Sequence, residues 1–169
     1  MRIVQKKICL LGDFAVGKTS LVRRYVEDRF DDKYLSTIGV KISRKVLLRD
    51  TYQLNLIVWD LAGGEDYSKM GANYLRGAVG ALIVCDLTRL ETLTAYDTYS
   101  QQLLKVNPDA VFVYAGNKVD LEAERTVSDE MLQERKSDVY GPCLLTSAKT
   151  GQNVEEAFTL LAEQIERQL

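Results

Sequence analysis

The stretch Gly12-Asp13-Phe14-Ala15-Val16-Gly17-Lys18-Thr19 decides how this chain is read. It fits the pattern G-x-x-x-x-G-K-[ST], and it stands between an apolar run at 3–11 and a helical pattern at 19–26, the context the pattern requires. Gly12 and Gly17 permit dihedrals that turn successive backbone N–H groups inward around a phosphate. Lys18 brings a positive charge to the outer phosphates, and the Thr19 hydroxyl is a ligand for Mg²⁺. The N-terminus of the following helix adds partial positive charge at the same spot. The bland alternative is a Gly-rich turn that arose by chance, and the strand–loop–helix context weighs against it.

Apolar runs rich in β-branched residues recur at 3–11, 54–60, 81–86, 111–116 and 143–145. Their near-continuous hydrophobicity predicts parallel strands buried on both faces. The run 41–49 instead alternates, with Ile42, Val46 and Leu48 among charged residues, and the short Asp50-Thr51 link after it predicts an antiparallel hairpin and an edge strand. Between the strands lie helical patterns. Leu93, Tyr96, Tyr99 and Leu103 recur at helical spacing, with Thr88 and Glu91 placed as a capping box. Val154, Phe158, Leu161 and Ile165 form another stripe, opened by Asn153 with Glu156 three residues on, and Ser128 starts a shorter helix. Such alternation implies an α/β sheet with helices on both faces, whose ligands bind at the carboxyl ends of the strands.

At those ends stand two further elements. Asp60, in Trp59-Asp60-Leu61-Ala62-Gly63, emerges from a buried strand beside the phosphate loop, where it can hold Mg²⁺ through a water. Alone it would read as a turn former. Asn117-Lys118-Val119-Asp120 follows the run 111–116. The Asp120 carboxylate can accept from the ring N–H and the exocyclic amine of guanine. Adenine would leave it unpaired, a heavy penalty in a buried site. The aliphatic stem of Lys118 suits packing along a base while its charge stays near solvent or the loop. Ser147-Ala148-Lys149 would meet the base from the other side, although by itself it reads as an ordinary polar loop.

Composition sets the outer bounds. At 169 residues, with 46% hydrophobic and 27% charged residues, one globular domain over 1–169 is expected. The formal charge of −2 argues against a nucleic-acid binder, and the absence of histidine excludes His-based triads and zinc sites. Cys9, Cys85 and Cys143 sit among apolar neighbours and read as reduced core residues of a cytoplasmic protein. The first residues carry no secretory signal, Arg2 excludes N-myristoylation, and the last residues carry no prenylation cysteine, so no membrane anchor is expected in this chain.

Residues 12–19, Thr37, 60–63, 117–120 and 147–149 together resemble the small Ras-type GTPases over essentially the whole chain, and the words at 34–40 and 74–80 are most similar to the Rab branch. The resemblance implies a three-layer P-loop GTPase fold, with a six-stranded, mostly parallel sheet, one antiparallel edge strand and about five helices. It implies a monomeric GDP/GTP switch with one Mg²⁺. Carried over residue by residue, the nucleotide site comprises Gly12, Asp13, Phe14, Ala15, Val16, Gly17, Lys18, Thr19, Ser20, Phe30, Tyr34, Thr37, Gly63, Asn117, Lys118, Asp120, Ser147, Ala148 and Lys149. Thr19, Thr37 and Asp60 would hold the metal, Phe30 would lie edge-on to the guanine, and Lys18, Thr37, Gly63 and Gly64 mark the catalytic edge. Effectors, exchange factors and activators would bind at roughly 31–49 and 62–76, around two segments that the γ-phosphate orders.

Two positions depart from the family. Gly64 stands where a glutamine orients the attacking water, and a glycine has no side chain for that task. Phe14 stands where relatives carry a small residue, and would crowd the rim at which an activator's arginine must fit. These departures spare the binding contacts and fall on turnover. They leave a slowly hydrolysing switch as the leading reading and a non-hydrolysing, nucleotide-loaded scaffold as the alternative. A phosphoryl-transfer kinase would need an acceptor pocket and an Arg-rich lid, and the sequence offers neither.

Overall fold

A computed structural model describes residues 1–27, 40–61, 71–135 and 140–169. Its elements are β1 (Arg2–Gly12), α1 (Lys18–Glu27), β2 (Val40–Leu48), β3 (Tyr52–Leu61), β4 (Ala78–Asp86), α2 (Ala95–Val106), β5 (Val111–Asn117), α3 (Asp129–Glu134), β6 (Cys143–Leu145) and α4 (Val154–Glu166). Short 3-10 turns at Gly71–Leu75, Leu90–Thr94 and Glu122–Glu124 join them. The strands form one six-stranded sheet in the order β2-β3-β1-β4-β5-β6. Only β2 runs antiparallel, paired with β3 from Val40 opposite Leu61 to Leu48 opposite Gln53. Because the other five run parallel, their carboxyl ends lie along one edge of the sheet. The expected sheet is therefore present; the described residues hold four α-helices rather than about five.

Burial on both faces explains the unbroken apolar runs. Along β1, Ile8 and Leu10 face a cluster with Leu21, Val22 and Tyr25 of α1 and Val154, Phe158 and Leu161 of α4. Cys9 and Leu11 face the opposite cluster, with Leu93 and with Tyr96, Tyr99 and Leu103 of α2. The ring of Phe158 stacks on Tyr25, centroids 4.0 Å apart and planes within 1°. That contact clamps α4 to α1, the two helices that flank the phosphate loop and the 147–149 turn. A second tie is made where the Arg49 guanidinium in the β2–β3 hairpin donates to both oxygens of Glu166, at 2.9 and 2.7 Å. This fork holds the Glu166 carboxyl below its ordinary range.

Two helix-cap expectations fail, each because another polar group claims the side chain. Thr88 does not cap the helix bearing Tyr96. Its amide and hydroxyl both donate to Asp86 Oδ1, at 2.9 and 2.7 Å, and a 3-10 turn intervenes before α2 begins at Ala95. Asn153 precedes α4 with φ +55° and makes no side-chain cap; its Nδ2 donates to the Leu145 carbonyl at 2.9 Å. Ser128 does cap α3, accepting from the Met131 amide at 3.2 Å. All three cysteines are free thiols, but only Cys9 and Cys85 are core residues, because Cys143 lies exposed on the edge strand β6. Among the described residues no helix is long and apolar enough to cross a membrane.

Phe158→Ala should destabilise the fold by about 3–5 kcal/mol, the range for emptying a fully buried aromatic site. Urea unfolding would measure it, and a loss under 1 kcal/mol would mean that the α1–α4 clamp is not where stability resides.

Candidate functional site

The loop between β1 and α1 occupies the middle of the carboxyl-end edge. Every carbonyl from Gly12 to Gly17 has a partner. Lys18 Nζ donates to Gly12 O at 2.9 Å and Asp13 O at 3.0 Å. Arg89 Nη1 donates to Phe14 O at 2.7 Å, Lys118 Nζ to Ala15 O at 3.0 Å, and Asn117 Nδ2 to Val16 O at 3.0 Å. Gly17 O accepts from the Leu21 amide at 2.9 Å, the first helical bond of α1. Carbonyls held in this way turn the intervening amides toward the inner side of the loop, the arrangement that binds anions. Glycine is required at both ends. A Cβ at Gly12 would meet Val84 O at 2.5 Å, and one at Gly17 would meet Asn117 Nδ2 at 2.3 Å where φ is +105°.

Lys18 is 6% exposed, and burial pushes its ammonium down to about 8, against the pull of Asp60 and Asp13. Burial likewise raises the carboxyl of Asp60, opposed by the Thr19 hydroxyl and by Lys18 and Lys41. Thr19 Oγ1 donates to Asp60 Oδ2 at 2.5 Å, joining the start of α1 to the end of β3. A hydroxyl and a carboxylate side by side are hard oxygen donors, and the buried carboxylate gains from a divalent cation, so the pair fits Mg²⁺. Among the described residues no cluster of three or more acidic, Cys or His side chains could hold a metal. Ser20 lies in the first turn of α1, and Phe14 stands 57% exposed at the mouth.

The second half of the site lies at the ends of β5 and β6. Buried Asn117 joins three segments: it donates to Val16 O and accepts at Oδ1 from Thr146 Oγ1 at 3.0 Å. Lys118, at φ +69°, sets its ammonium 2.8 Å from Oδ2 of the fully buried Asp86 and keeps its charge on the loop. Ser147 Oγ donates to Asp120 Oδ1 at 2.7 Å and accepts from the Thr150 amide at 3.1 Å, which fixes the carboxylate and leaves Oδ2 for a ligand. Arg24 of α1 donates through Nε to Ala148 O at 2.8 Å and through Nη2 to Lys149 O. One network thus unites residues 12–20, Asp60, Asn117, Lys118, Asp120, Ser147, Ala148 and Lys149. Phe30, Tyr34, Thr37, Gly63 and Gly64 lie outside the described residues.

Sequence reasoning missed Asp86, Arg89, Thr146 and Arg24. Asp86 carried a usable signal, being an acid at the carboxyl end of an apolar strand like Asp60. The other three carried none, because their partners lie far away in the chain.

The Ras family model matches residues 7–167. The chain is 34% identical to Ras-related protein Rab-22A of Mus musculus, over 98% of this chain and 86% of that protein. It is 38% identical to Ras-related protein Rab-21 of Geodia cydonium, over 96% of this chain and 71% of the relative. It is 35% identical to Ras-related protein Rab-3C of Mus musculus, over 93% and 70% respectively.

Removing the Asn117 side chain should cost the ligand-free protein roughly 2–3 kcal/mol, because Val16 O and Thr146 Oγ1 both lose a buried partner. Thermal unfolding of Asn117→Ala checks this, and an unchanged Tm would show that the two halves of the site are not joined through Asn117.

Proposed function

The chain belongs to the Ras family of small GTPases, and we propose on that footing that it is a Rab-like switch, binding GDP and GTP in turn and hydrolysing GTP slowly. The observation that carries this reading is the set of loop carbonyls from Gly12 to Val16, each bonded by Lys18, Arg89, Lys118 or Asn117. A loop so held offers its amides to the phosphates, and Lys18 adds charge at the outer ones. Thr19, Thr37 and Asp60 would hold Mg²⁺, which would supply positive charge to offset that of the outer phosphates. Asp120, oriented by Ser147, reads the guanine edge, with Ala148 and Lys149 opposite and Phe30 edge-on. Tyr34, Thr37 and Gly63 sense the γ-phosphate, so that effectors, exchange factors and activators meet the chain at roughly 31–49 and 62–76. The protein acts in the cytoplasm as a monomer.

Slow turnover follows from Gly64, which cannot orient water, and from Phe14 at the mouth. The same glycine favours a second reading, a nucleotide-loaded scaffold without hydrolysis. Thr37 and Gly63 oppose it, since both gain a role only where the γ-phosphate is sensed.

Asp120→Asn should weaken GDP by roughly a hundredfold, the equivalent of losing a charged hydrogen bond. The same change should favour xanthine nucleotides, whose extra carbonyl accepts from the new amide. Calorimetry on wild type and variant measures both, and equal wild-type affinity for ATP and GTP would contradict guanine reading.

Single-turnover hydrolysis of preloaded GTP should be slow in the wild type. Gly64→Gln combined with Phe14→Gly should exceed either single change by about tenfold or more, because the new side chain needs the space that Phe14 fills. A wild-type rate equal to that of glutamine-bearing relatives would refute slow turnover and point to Glu65 or Asp66 as the water-positioning group.

A further inference from the structure

Asp86 is a fully buried acid at the carboxyl end of β4, where the parallel register sets it beside Asn117. Its backbone is pinned: the amide donates to Thr92 Oγ1 at 2.8 Å, and the carbonyl accepts from the Arg89 amide at 2.9 Å. The two carboxylate oxygens then divide their work. Oδ1 accepts from the Thr88 amide at 2.9 Å and the Thr88 hydroxyl at 2.7 Å. Oδ2 has only an ion-pair partner among the described residues, the Lys118 ammonium 2.8 Å away. A buried charge needs such a partner, because its desolvation is otherwise uncompensated. The same ammonium donates to Ala15 O at 3.0 Å. Lys118 at φ +69° and Ala15 at φ +62° are two of the three non-glycine residues with positive φ among those described. Such strain persists only where surrounding bonds over-determine the backbone, and the chain from Asp86 through Lys118 to Ala15 ties both strained residues together.

We propose that Asp86 is a positioning residue for the nucleotide: by holding the Lys118 ammonium at the Ala15 carbonyl, it keeps the Lys118 stem laid along the purine ring and so sets how long GDP stays bound. The proposal rests on the guanine-nucleotide reading above and adds a residue that acts through Lys118 rather than on the ligand. A lysine stem has four rotatable bonds, and its ammonium is strongly hydrated. With the Lys118 side chain 32% exposed, water is within its reach, so burial alone does not hold it. Anchored at its far end, the stem is ordered before the nucleotide arrives, and binding loses less entropy. The pairing also makes the two charges interdependent. Without Lys118, Asp86 is a buried carboxylate with an unpaired oxygen near a loop that must accept phosphates. Without the Asp86 charge, the ammonium loses its counter-ion and turns to water.

The test follows, on the full chain with Mg²⁺, the release of GDP carrying a methylanthraniloyl fluorophore on its ribose, chased with unlabelled GDP. Asp86→Asn keeps a carbonyl to accept from Thr88 while removing the charge that faces Lys118, and should speed release by at least about tenfold. Lys118→Met keeps an unbranched apolar stem but orphans the buried carboxylate, and should speed release further. The double variant leaves no charge buried alone, and should release GDP at least about tenfold more slowly than Lys118→Met. Thr88→Ala, which alters only the partners of the other oxygen, should stay within about twofold of wild type. A merely structural Asp86 would give the double variant the product of the two single effects, and that outcome overturns the proposal. So does an Asp86→Asn variant that releases GDP at the wild-type rate, or a Thr88→Ala variant that releases it as fast as Asp86→Asn. If Asp86→Asn does not fold, Lys118→Met against the double variant decides by the same criterion. A wild type that binds no GDP at all overturns the underlying nucleotide reading itself.

Discussion

The carbonyl oxygens of Gly12, Asp13, Phe14, Ala15 and Val16 each accept a hydrogen bond from a side chain. Four of the five bonds come from cations, and a charged donor makes a hydrogen bond stronger than a neutral one. That constraint matters because a peptide unit cannot turn its carbonyl out without turning a neighbouring amide in. An anion-binding surface thus arises from backbone alone, before any charged side chain reaches the ligand. It is also local, so it asks for no net positive charge in a chain whose formal charge is −2.

The rest of the fold delivers those capping groups. Arg89 follows β4, Asn117 ends β5 and Lys118 follows it, and the parallel register places Asp86 beside Asn117. Only a sheet whose strands run in one direction brings so many strand ends to one loop, and only burial on both faces keeps the strands in register. Asp86 shows how the layers are linked. Its carboxylate, fully buried, spends one oxygen on the turn at Thr88 and the other on Lys118, so the turn that carries Arg89 and the base-side loop share one anchor.

Much of this was legible in the sequence, for a physical reason. Gly12, Gly17, Lys18 and Thr19 are each fixed by a local need, and so their spacing survives as a motif. Residues 117–120 likewise act from a single loop. The strands were legible through their continuous apolar runs, and the edge strand through its alternation. What failed to show were the choices made by tertiary competition. Thr88 and Asn153 have the right spacing to cap helices, yet Asp86 and the Leu145 carbonyl claimed them. Arg24 and Arg89 look like ordinary surface arginines until the fold sets them against backbone carbonyls far away in the chain.

A loop with its carbonyls engaged in this way has a direct spectroscopic signature. In ¹H–¹⁵N spectra of the ligand-free protein titrated with GDP and Mg²⁺, the amide protons of residues 14–19 should move strongly downfield as they bond to phosphate. Those of the solvent-facing residues at the opposite edge of the sheet, such as Asp50 in the β2–β3 turn, should stay in place. Large shifts confined to other loops, with the amides of 14–19 unmoved, would contradict the role given to this loop.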